Sequence, residues 1–454
     1  MASTYLQRTQ SAGNRRTFTL SYWVKKPRIS NGDDDLFFFG TDGTGSITKI
    51  EFSSDQFQFV DSNYASSGFQ IASTQLFRDI SGWYHIVVAI DTTQAASADR
   101  AKIYVNGEQI TLFSTNQRPA QNYDCFVNVA SQVLNIGRGF NFSSSSAKYF
   151  EGQLAHVHFT DGTAYPASTF GDTDSTTGIW KPKTSPSVTY GTNGFFLKFD
   201  NSANMGLDSS GQGNNFSTSG TIIQAKDTPS NVFATLNPLN VPTSNAPTFS
   251  IVNTKTITMN SDPGYFGGTS TLGASQGKWY TEIKITDNNG VGAVGITFDP
   301  SEKARQGTTF SAQISDSFIY ANTGKQYSTA TGTSGASYGN TYTDADIIGI
   351  AMDLDNSKLY FHKNGTYQNS GVPTSGSTGT GAIAITAGET YFFYLTDVGG
   401  ATATYECNFG NGYFGTTAVS SAQNPDDGNG IFEYDVPAGY RALSTKSLNA
   451  EEYS

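Results

Sequence analysis

The strongest constraint on the fold is a pattern that occurs twice, a short alternating segment that ends in Asn-Gly. It is KIYVNG at residues 102–107 and KLYFHKNG at residues 358–365. Asn and Gly accept the positive φ angles of a type I′ turn, so Asn-Gly after alternating residues is a strong hairpin signal. In both places a long apolar segment containing an aspartate precedes the pattern, at Asp91 and at Asp353. The pattern predicts two β-rich halves built on one plan.

Apolar residues alternate with polar ones through much of the chain, which directs one side of each segment to a core. Residues 18–24 (FTLSYWV) and 279–285 (WYTEIKI) are examples, and residues 347–354 are apolar on nearly every position. Aromatic residues make up 13% of the sequence, and no segment of a dozen residues has a clear helical period. The sequence therefore predicts an all-β protein with two antiparallel β-sandwich (jelly-roll) domains.

Turn-rich composition divides the chain into parts. Residues 205–255 are rich in Gly, Ser, Asn and Pro and show little alternation, which is typical of a connecting segment. We predict a first sandwich at 1–204, this irregular segment at 205–255, a second sandwich at 256–422, and a C-terminal extension at 423–454. The extension is expected to pack on the second domain or on a neighbour.

Charge and hydropathy argue against two classes of partner. A net charge of −11 disfavours nucleic acid, and the basic pairs at 15–16 and 25–26 are expected to be isolated surface charges. No apolar run reaches the roughly 18 residues that a membrane span needs, and the first residues lack the apolar core of a secretion signal. Cys125 and Cys407 fall in different predicted domains, so no disulfide framework is expected.

Several segments resemble known families. FTLSYWVK (18–25), GWYHIVVAID (82–91) and KIYVNG (102–107) resemble the concanavalin A-like, laminin-G-type sandwich family. GKWYTEIKI (277–285) and DIIGIAMDLDNSKLYFHKNG (346–365) resemble the SPRY family, which is also a β-sandwich. The resemblance implies a concanavalin A-like domain followed by a SPRY-like domain, and binding of glycan or protein.

A further resemblance concerns origin. Residues 168–217, which include GLDSSGQGNNFS, and residues 227–239 (DTPSNVFATLNPL) are similar to a segment of tailed-bacteriophage virion proteins. Residues 436–445 (VPAGYRALST) resemble the closing phrase of the same proteins. This resemblance implies a location on the virion.

Concanavalin A-like folds also host glucanases, whose catalysis depends on paired carboxyl groups. Retaining glycosidases place two carboxyl groups about 5–5.5 Å apart. The nearest sequence match is Glu433-Tyr-Asp435, which lacks a third carboxylate, is interrupted by Pro437 and lies outside the first domain. We expect no enzyme activity, and no buried acid pair positioned to cut a sugar.

The histidines and the clustered acids are the candidate metal ligands of the sequence. His156 and His158 lie two residues apart on a predicted strand, but no third ligand is near in sequence, so two solvent-facing side chains are expected. Asp33, Asp34 and Asp35 are candidate calcium ligands, because hard cations prefer clustered carboxylates. Their spacing matches no calcium-loop motif, so a solvated acidic loop and no cofactor are expected.

Binding residues are expected in the loops, where rigid sandwiches usually present them. The candidate loops are 61–70, 114–124, 299–313 and 320–342. The last one is rich in small polar residues, which together with tyrosine suit an adaptable contact surface. Its candidate binding residues are Tyr320, Tyr327, Tyr338 and Tyr342.

These features predict a non-enzymatic phage virion surface protein, such as a decoration protein, a short appendage or a tail-tip subunit. The expected partners are other virion proteins, host-surface carbohydrate and further copies of the chain, with a trimer as one arrangement that no heptad repeat specifies. The expected location is the virion surface, after synthesis in the host cytoplasm. Two alternatives stay open: a tail-associated polysaccharide-degrading enzyme, and a purely architectural capsid-decoration protein.

Overall fold

The computed structural model describes residues 4–26, 28–29, 32–42, 45–63, 67–141, 144–240, 248–249, 256–258, 266–288, 290–300, 315–398 and 403–452. The chain divides into two compact units. The first comprises Met1–Gln224 and Thr228–Ser230, and the second comprises Ala225–Asp227 and Asn231–Ser454. Each unit is a sandwich of mostly antiparallel sheets, which confirms the predicted fold class.

The first unit pairs two large sheets. Its strands are β1 Tyr5–Thr9, β2 Thr17–Lys25, β3 Asp33–Phe39, β4 Ser46–Ser53, β5 Gln56–Asn63, β6 Ser67–Leu76, β7 Tyr84–Asp91, β8 Ala101–Val105, β9 Glu108–Gln109, β10 Phe113–Gln117, β11 Val133–Ile136, β12 Arg138–Phe140, β13 Ala147–Tyr149, β14 Gln153–Asp161, β15 Gly171–Thr173, β16 Trp180–Pro182, β17 Phe195–Leu197 and β18 Ser217–Ser219. One sheet has the order β10-β6-β5-β4-β3-β11-β1-β18, and the other has the order β17-β14-β2-β7-β8-β9. The hairpins β12–β13 and β15–β16 lie outside both sheets. Short 3₁₀ turns occur at Ser97–Asp99 and Ala167–Thr169.

Strand register fills the first core. In the pairing of β2 with β7, Phe18 lies opposite Ile90 and Leu20 lies opposite Val88. All four side chains are buried in the main apolar cluster of the unit. Because side chains alternate between the two faces, this register directs the intervening residues to the outer face of the sheet.

The second unit has the same two-sheet plan. Its strands are β19 Thr248–Phe249, β20 Thr256–Thr258, β21 Phe266–Thr269, β22 Lys278–Asn288, β23 Val291–Thr297, β24 Ser317–Ala321, β25 Lys325–Tyr327, β26 Ala336–Ser337, β27 Ile347–Asp353, β28 Lys358–Lys363, β29 Thr366–Tyr367, β30 Ile383–Ala384, β31 Phe392–Val398, β32 Ala403–Asn408, β33 Tyr413–Phe414, β34 Thr417–Ala418 and β35 Arg441–Ala442. One sheet has the order β19-β20-β32-β22-β27-β28-β29, with β30 beside β28 and β35 beside β22, and the other has the order β21-β31-β23-β24-β25-β26. Helix α1 is Thr445–Glu452, and 3₁₀ turns occur at Gln368–Ser370 and Pro373–Thr378.

The two Asn-Gly turns adopt the predicted conformation. The φ angles are 48° and 90° at Asn106-Gly107, and 49° and 83° at Asn364-Gly365. Each turn joins two antiparallel strands, β8 to β9 and β28 to β29. In each copy the asparagine Oδ1 also accepts a backbone N–H at 2.8 Å from elsewhere in its unit. The repeated sequence pattern is therefore a structural element.

Parts of the turn-rich stretch belong to the two cores. Phe216 lies in the first core, with its ring edge-on to Phe195 at 4.8 Å, and β18 pairs with β1. Ala234 and Leu236 lie in the second core. The described residues between 205 and 240 are thus shared between the two units.

The C-terminal part of the chain completes the second unit. Strand β35 pairs in parallel with β22, and Leu443 is fully buried in the core. Phe432 and Tyr440 cover the outer face of the sheet, where they pack in one cluster with Tyr280. Residues 431–443 are therefore a structural layer of the domain.

The cysteines and the helices relate to two expectations from the sequence, that the chain has no disulfide framework and no membrane span. The thiols of Cys125 and Cys407 are buried and lie in separate units, and burial raises the pKa of Cys125 well above its usual range. Across the described part of the chain, no helix has the length and apolar character to cross a membrane.

Truncating Phe432 tests the structural role of the C-terminal layer. Its ring is fully buried and lies edge-on to Tyr280 at 4.9 Å. We expect Phe432→Ala to lower the free energy of unfolding of the second unit by about 3–5 kcal/mol, because it leaves a cavity. Denaturant titration measures this, and Val372→Ala, at a side chain that is 43% exposed, is the control. Equal effects of the two substitutions would contradict the assignment.

Candidate functional site

The four candidate tyrosines lie in the interior of the second unit, with exposures between 0% for Tyr320 and 9% for Tyr327. Tyr342 Oη donates to the carbonyl of Tyr320 at 2.8 Å, and Tyr338 Oη accepts the N–H of Phe361 at 3.2 Å. These tyrosines do not form the adaptable contact surface that the sequence indicated, because their rings lie in the interior. The hydroxyls of Tyr320, Tyr338 and Tyr342 bind backbone groups. Burial raises the pKa of Tyr320, Tyr338 and Tyr342.

The acidic residues 33–35 form part of strand β3, and Asp34 and Asp35 are fully buried. Each aspartate contacts a cation: Asp33 contacts Lys148, Asp34 contacts Arg28 at 3.1 Å, and Asp35 contacts Lys49 at 2.9 Å. The expected solvated loop is wrong, because these basic side chains replace water around the carboxylates. Among the described residues, no group of three His, Cys, Asp or Glu side chains could hold a metal ion.

The basic pair at 25–26 is buried too, so the expectation of surface charges is wrong there. Both residues end or follow β2, a central strand of its sheet. Lys26 Nζ lies 2.5 Å from Asp55 Oδ1 and 5.0 Å from the centre of the Phe52 ring. Asp55 also contacts the guanidinium of Arg78 at 3.2 Å.

One acid pair was not expected from the sequence. Asp35 and Glu51 are directly opposite each other in the pairing of β3 with β4. Lys49 extends from the same face of β4 as Glu51, and its Nζ lies 2.9 Å from Asp35 Oδ1 and 2.7 Å from Glu51 Oε2. We refer to Asp35, Lys49 and Glu51 as the Lys49 cluster. All three side chains are at most 4% exposed.

The hairpin β12–β13 covers this cluster. Gly139 lies over Asp35 so closely that a Cβ atom there would come within 2.6 Å of Asp35 Cγ. Phe140 packs with Phe38 and Ile47 in a small apolar cluster on the same side. Lys148 contacts Asp33 and joins the second strand of the hairpin to β3. The hairpin thereby keeps the carboxyl groups away from solvent.

The charges of the Lys49 cluster are strongly coupled. Burial raises the pKa of Glu51 to about 8 and also raises the pKa of Asp35, although Lys49 acts to lower both. Burial acts to lower the pKa of Lys49, but the two carboxylates outweigh it and the net change is a rise. The protonation of each of these three groups therefore depends on the charges of the other two.

A serine–histidine contact in the first unit is structural. Trp180 Nε1 donates to His85 Nδ1 at 3.0 Å, and His85 Nε2 lies 2.9 Å from Ser21 Oγ. An indole N–H only donates, so Nδ1 accepts and the proton of the neutral ring is on Nε2. His85 thus donates to Ser21 and cannot remove its proton. Burial lowers the pKa of His85 to about 3, which keeps the ring neutral.

The two other histidines of this unit do not share one strand face. A bulge in the pairing of β14 with β2 lies between Ala155 and His158, and His156 has a φ of 46°. His158 is buried, stacks on Phe196 at 3.8 Å and contacts the hydroxyl of Tyr190 at 2.9 Å. The expected solvent-facing arrangement is wrong for His158, because the segment carrying Tyr190 covers it.

A buried glutamate holds the C-terminal layer of the second unit. Glu282 accepts the backbone N–H groups of Glu433 and Tyr434, each at 2.8 Å. It also accepts the hydroxyl of Tyr280 at 3.0 Å, and His362 Nε2 contacts that hydroxyl at 2.6 Å. Burial raises the pKa of Glu282 to about 7, although its hydrogen bonds act to lower it.

Glu433 and Asp435, the nearest sequence match to a glycosidase carboxylate pair, lie in this layer. Glu433 accepts the N–H of Ser420 at 2.6 Å, and Asp435 is exposed. Both residues belong to the second unit and thus lie outside the first, as predicted from the sequence. They are remote in sequence from the Lys49 cluster, which lies in the first unit.

The outer face of strands β5, β6 and β10 carries polar side chains in register. Gln58 lies opposite Ala72 and Val60 opposite Gln70, while Thr115 and Gln117 on β10 lie opposite Ala72 and Gln70. Residues paired across strands project from the same face. We call Gln58, Gln70, Thr115 and Gln117 the amide face.

The amide face has spare hydrogen-bonding capacity. Gln70 Nε2 donates to Gln58 Oε1 at 3.1 Å, and Gln117 Nε2 donates to the carbonyl of Gly68 at 3.2 Å. An amide side chain has two donor hydrogens and two acceptor lone pairs, so each bond uses only part of it. Residues 61–63, 67–70 and 114–117 of the candidate loops are strand residues, so the loop prediction is wrong there, and Gln70, Thr115 and Gln117 belong to this face. Residues 301–313 of the candidate loop 299–313 lie outside the described residues.

The comparisons with known proteins agree with this architecture. Residues 2–169 match the model of the concanavalin A-like lectin/glucanases superfamily, and residues 278–388 match the model of the SPRY domain. The chain therefore contains a concanavalin A-like domain followed by a SPRY domain, as the sequence resemblance implied. No curated protein matches the sequence.

Three solved structures illustrate the likeness. The SPRY domain of human HERC1 is 18% identical, with 38% of this chain and 96% of that chain covered and a TM-score of 0.29. The native heptameric SAP-like pentraxin from Limulus polyphemus is 18% identical, with coverages of 36% and 72% and a TM-score of 0.27. A human SPRY domain is 17% identical, with coverages of 37% and 94% and a TM-score of 0.24.

Glu282 is expected to make the stability of the second unit pH-dependent. Its pKa rises from an ordinary 4.5 to about 7 on folding, so the folded state keeps a proton that the unfolded state loses. The contribution of this proton to the free energy of unfolding is about 3 kcal/mol. It is fully present below about pH 4.5 and is lost as the pH rises through 7. Glu282→Gln has no such titrating group, so its free energy of unfolding does not show this loss. In denaturant titrations, the free energy of unfolding of the wild type minus that of the variant should therefore decrease as the pH rises from 4.5 through 7.

Asp435→Asn removes an exposed carboxyl group of the same layer and serves as the control, for which no such pH-dependent difference is expected. A difference between wild type and Glu282→Gln that stays constant from pH 4.5 to 7 would contradict the role given to Glu282.

Proposed function

We propose that this chain is a non-enzymatic surface protein of a tailed-bacteriophage virion that binds host-surface carbohydrate through the amide face. The observation that carries the proposal is the register that aligns Gln58, Gln70 and Gln117 on one outer sheet face. Sugar hydroxyls both donate and accept hydrogen bonds, and side-chain amides do the same. The face belongs to the domain that matches the concanavalin A-like lectin/glucanases superfamily.

The virion assignment rests on sequence resemblance. Residues 168–217, 227–239 and 436–445 are similar to segments of tailed-phage virion proteins. A virion displays many copies of its surface proteins, so weak binding at each amide face would add up through avidity. Other virion proteins are the second class of partner that we propose, and the sandwich edges are the surfaces available for such contacts.

A glycan array carrying host-surface polysaccharides tests carbohydrate binding. For a glycan that binds, Gln70→Ala combined with Gln117→Ala is expected to weaken affinity about tenfold, because each neutral hydrogen bond contributes about 0.5–1.5 kcal/mol. Gln109→Ala removes an exposed amide on β9 of the same domain and should leave affinity unchanged. An array without binding, or equal affinities of all variants, would contradict the proposal.

Virion location is tested separately by labelling intact particles with an antibody to this chain and locating the label by electron microscopy. An array without binding, combined with particles that lose stability when the protein is missing, would favour the purely architectural alternative. Failure to find the chain on any particle would remove the virion assignment and leave carbohydrate binding to be judged by the array.

The second candidate function is polysaccharide degradation, which the Asp35–Glu51 pair favours. The two carboxyls are cross-strand neighbours on one sheet face, and a glycosidase needs two carboxyl groups close together. Against it, Lys49 lies between them and Gly139 covers Asp35. We expect no new reducing ends when the protein is incubated with host capsule. If the wild-type protein released reducing ends from the capsule and Glu51→Gln did not, the protein would be a polysaccharide-degrading enzyme and the non-enzymatic proposal would be wrong.

A further inference from the structure

The Lys49 cluster holds a nucleophile, an electrophile and an acid–base group in one place. The amine is Lys49 Nζ, the carboxyl group beside it belongs to Asp35, and the second carboxyl group belongs to Glu51. We propose that Lys49 Nζ and Asp35 Cγ become joined by an intramolecular isopeptide bond, with Glu51 transferring the protons. This modification is independent of the proposed carbohydrate binding.

Distances support the reaction. Lys49 Nζ lies 2.9 Å from Asp35 Oδ1, and the oxygen is bonded directly to the carbon that the amine would attack. Glu51 Oε2 lies 2.7 Å from the same nitrogen, within reach of its protons. Holding reacting groups in contact removes the entropic cost of bringing them together, which is worth a large effective concentration.

The dry surroundings supply the reactive form. Water is kept out by the β12–β13 hairpin, with Gly139 over Asp35 and Phe140 on the same side. Burial penalises every charged form in the cluster, so an amine beside a carboxylic acid is brought closer in energy to an ammonium beside a carboxylate. Burial raises the pKa of Glu51 to about 8, so its carboxyl group can both accept and release a proton near neutral pH.

The reaction balances without a co-reactant. Glu51 takes one proton from the Lys49 ammonium, and the neutral amine attacks Asp35 Cγ to form the N–C bond. Glu51 returns the proton to an Asp35 oxygen, a second proton from the nitrogen follows by the same route, and the C–O bond breaks to release water. One ammonium and one carboxylate become one amide and one water, and Glu51 ends in its starting form.

Another buried pair of this unit lacks the same arrangement. Lys26 Nζ lies 2.5 Å from Asp55 Oδ1, but Asp55 also contacts Arg78 at 3.2 Å. A guanidinium favours the ionised form of a carboxyl group, and the carbon of a carboxylate is a poor electrophile for attack by an amine. We therefore expect the bond at Asp35 and not at Asp55.

Mass spectrometry of the unfolded full chain tests the proposal. The wild-type mass, after allowance for removal of Met1, is expected to be lower than the sequence mass by one water, about 18 Da. Trypsin cuts after unmodified lysine, so a free Lys49 gives peptides 29–49 and 50–78. The bond blocks that cut, and one peptide, 29–78, is expected to appear one water lighter. The two separate peptides at full mass would overturn the proposal.

Variants assign the roles. Glu51→Gln is expected to restore the full mass and the cut after Lys49, whereas Asp35→Asn is expected to lose ammonia, about 17 Da, through the same bond. Lys181→Met is the matched control, because Lys181 Nζ lies 2.6 Å from Asp174 in a solvent-exposed pair, and it should keep the wild-type cross-link. A cross-link that persists in Glu51→Gln, or that maps to Lys26 and Asp55, would refute the assignment.

Discussion

Strand register is the constraint on which both sandwiches depend, because a shift by one residue would exchange the core face and the outer face of a strand. In the first unit the pairing of β4 with β5 places Ile50 opposite Phe59 in the core and Glu51 opposite Gln58 on the outer face. The Lys49 cluster and the amide face are neighbouring parts of one sheet face, since Glu51 on β4 lies opposite Gln58 on β5, although the β12–β13 hairpin covers the cluster. Core packing and surface chemistry are thus two results of one pairing scheme.

Later segments of the chain cover the outer faces, and each covering segment is held by buried polar groups. In the first unit, β12–β13 lies over Asp35, and Trp180 packs against Gly107 while it donates to His85. In the second unit, the C-terminal layer is held by Glu282, and Tyr434 packs against Gly365. An aromatic side chain thus contacts the glycine of each repeated Asn-Gly turn. Buried charges of this kind are costly unless they are hydrogen-bonded, so loss of one partner is more damaging than removal of a surface charge.

Local signals were sufficient for much of the fold and insufficient for the candidate site. Alternation and Asn-Gly dipeptides identify strands and turns, because these depend on neighbouring residues. The loop composition around Tyr320 did not reveal burial, since Gly, Ser and Thr near a tyrosine are compatible with a surface loop and with a core-facing segment. Glu282 was not identified, because its partners Glu433 and Tyr434 are about 150 residues away. The charged alternation of Lys49-Ile50-Glu51 was the available signal for the Lys49 cluster, but the pairing with Asp35 could not be seen in one sequence.

The position of β35 has a consequence for biosynthesis. This strand occupies a place beside the central strand β22, and Leu443 fills the core, so the second sandwich cannot close before residue 443 has left the ribosome. The first sandwich needs the chain only as far as β18 and the few residues after it. Its folding can therefore finish during translation, while the nascent second sandwich still exposes apolar sheet surface that chaperones or early partners would meet.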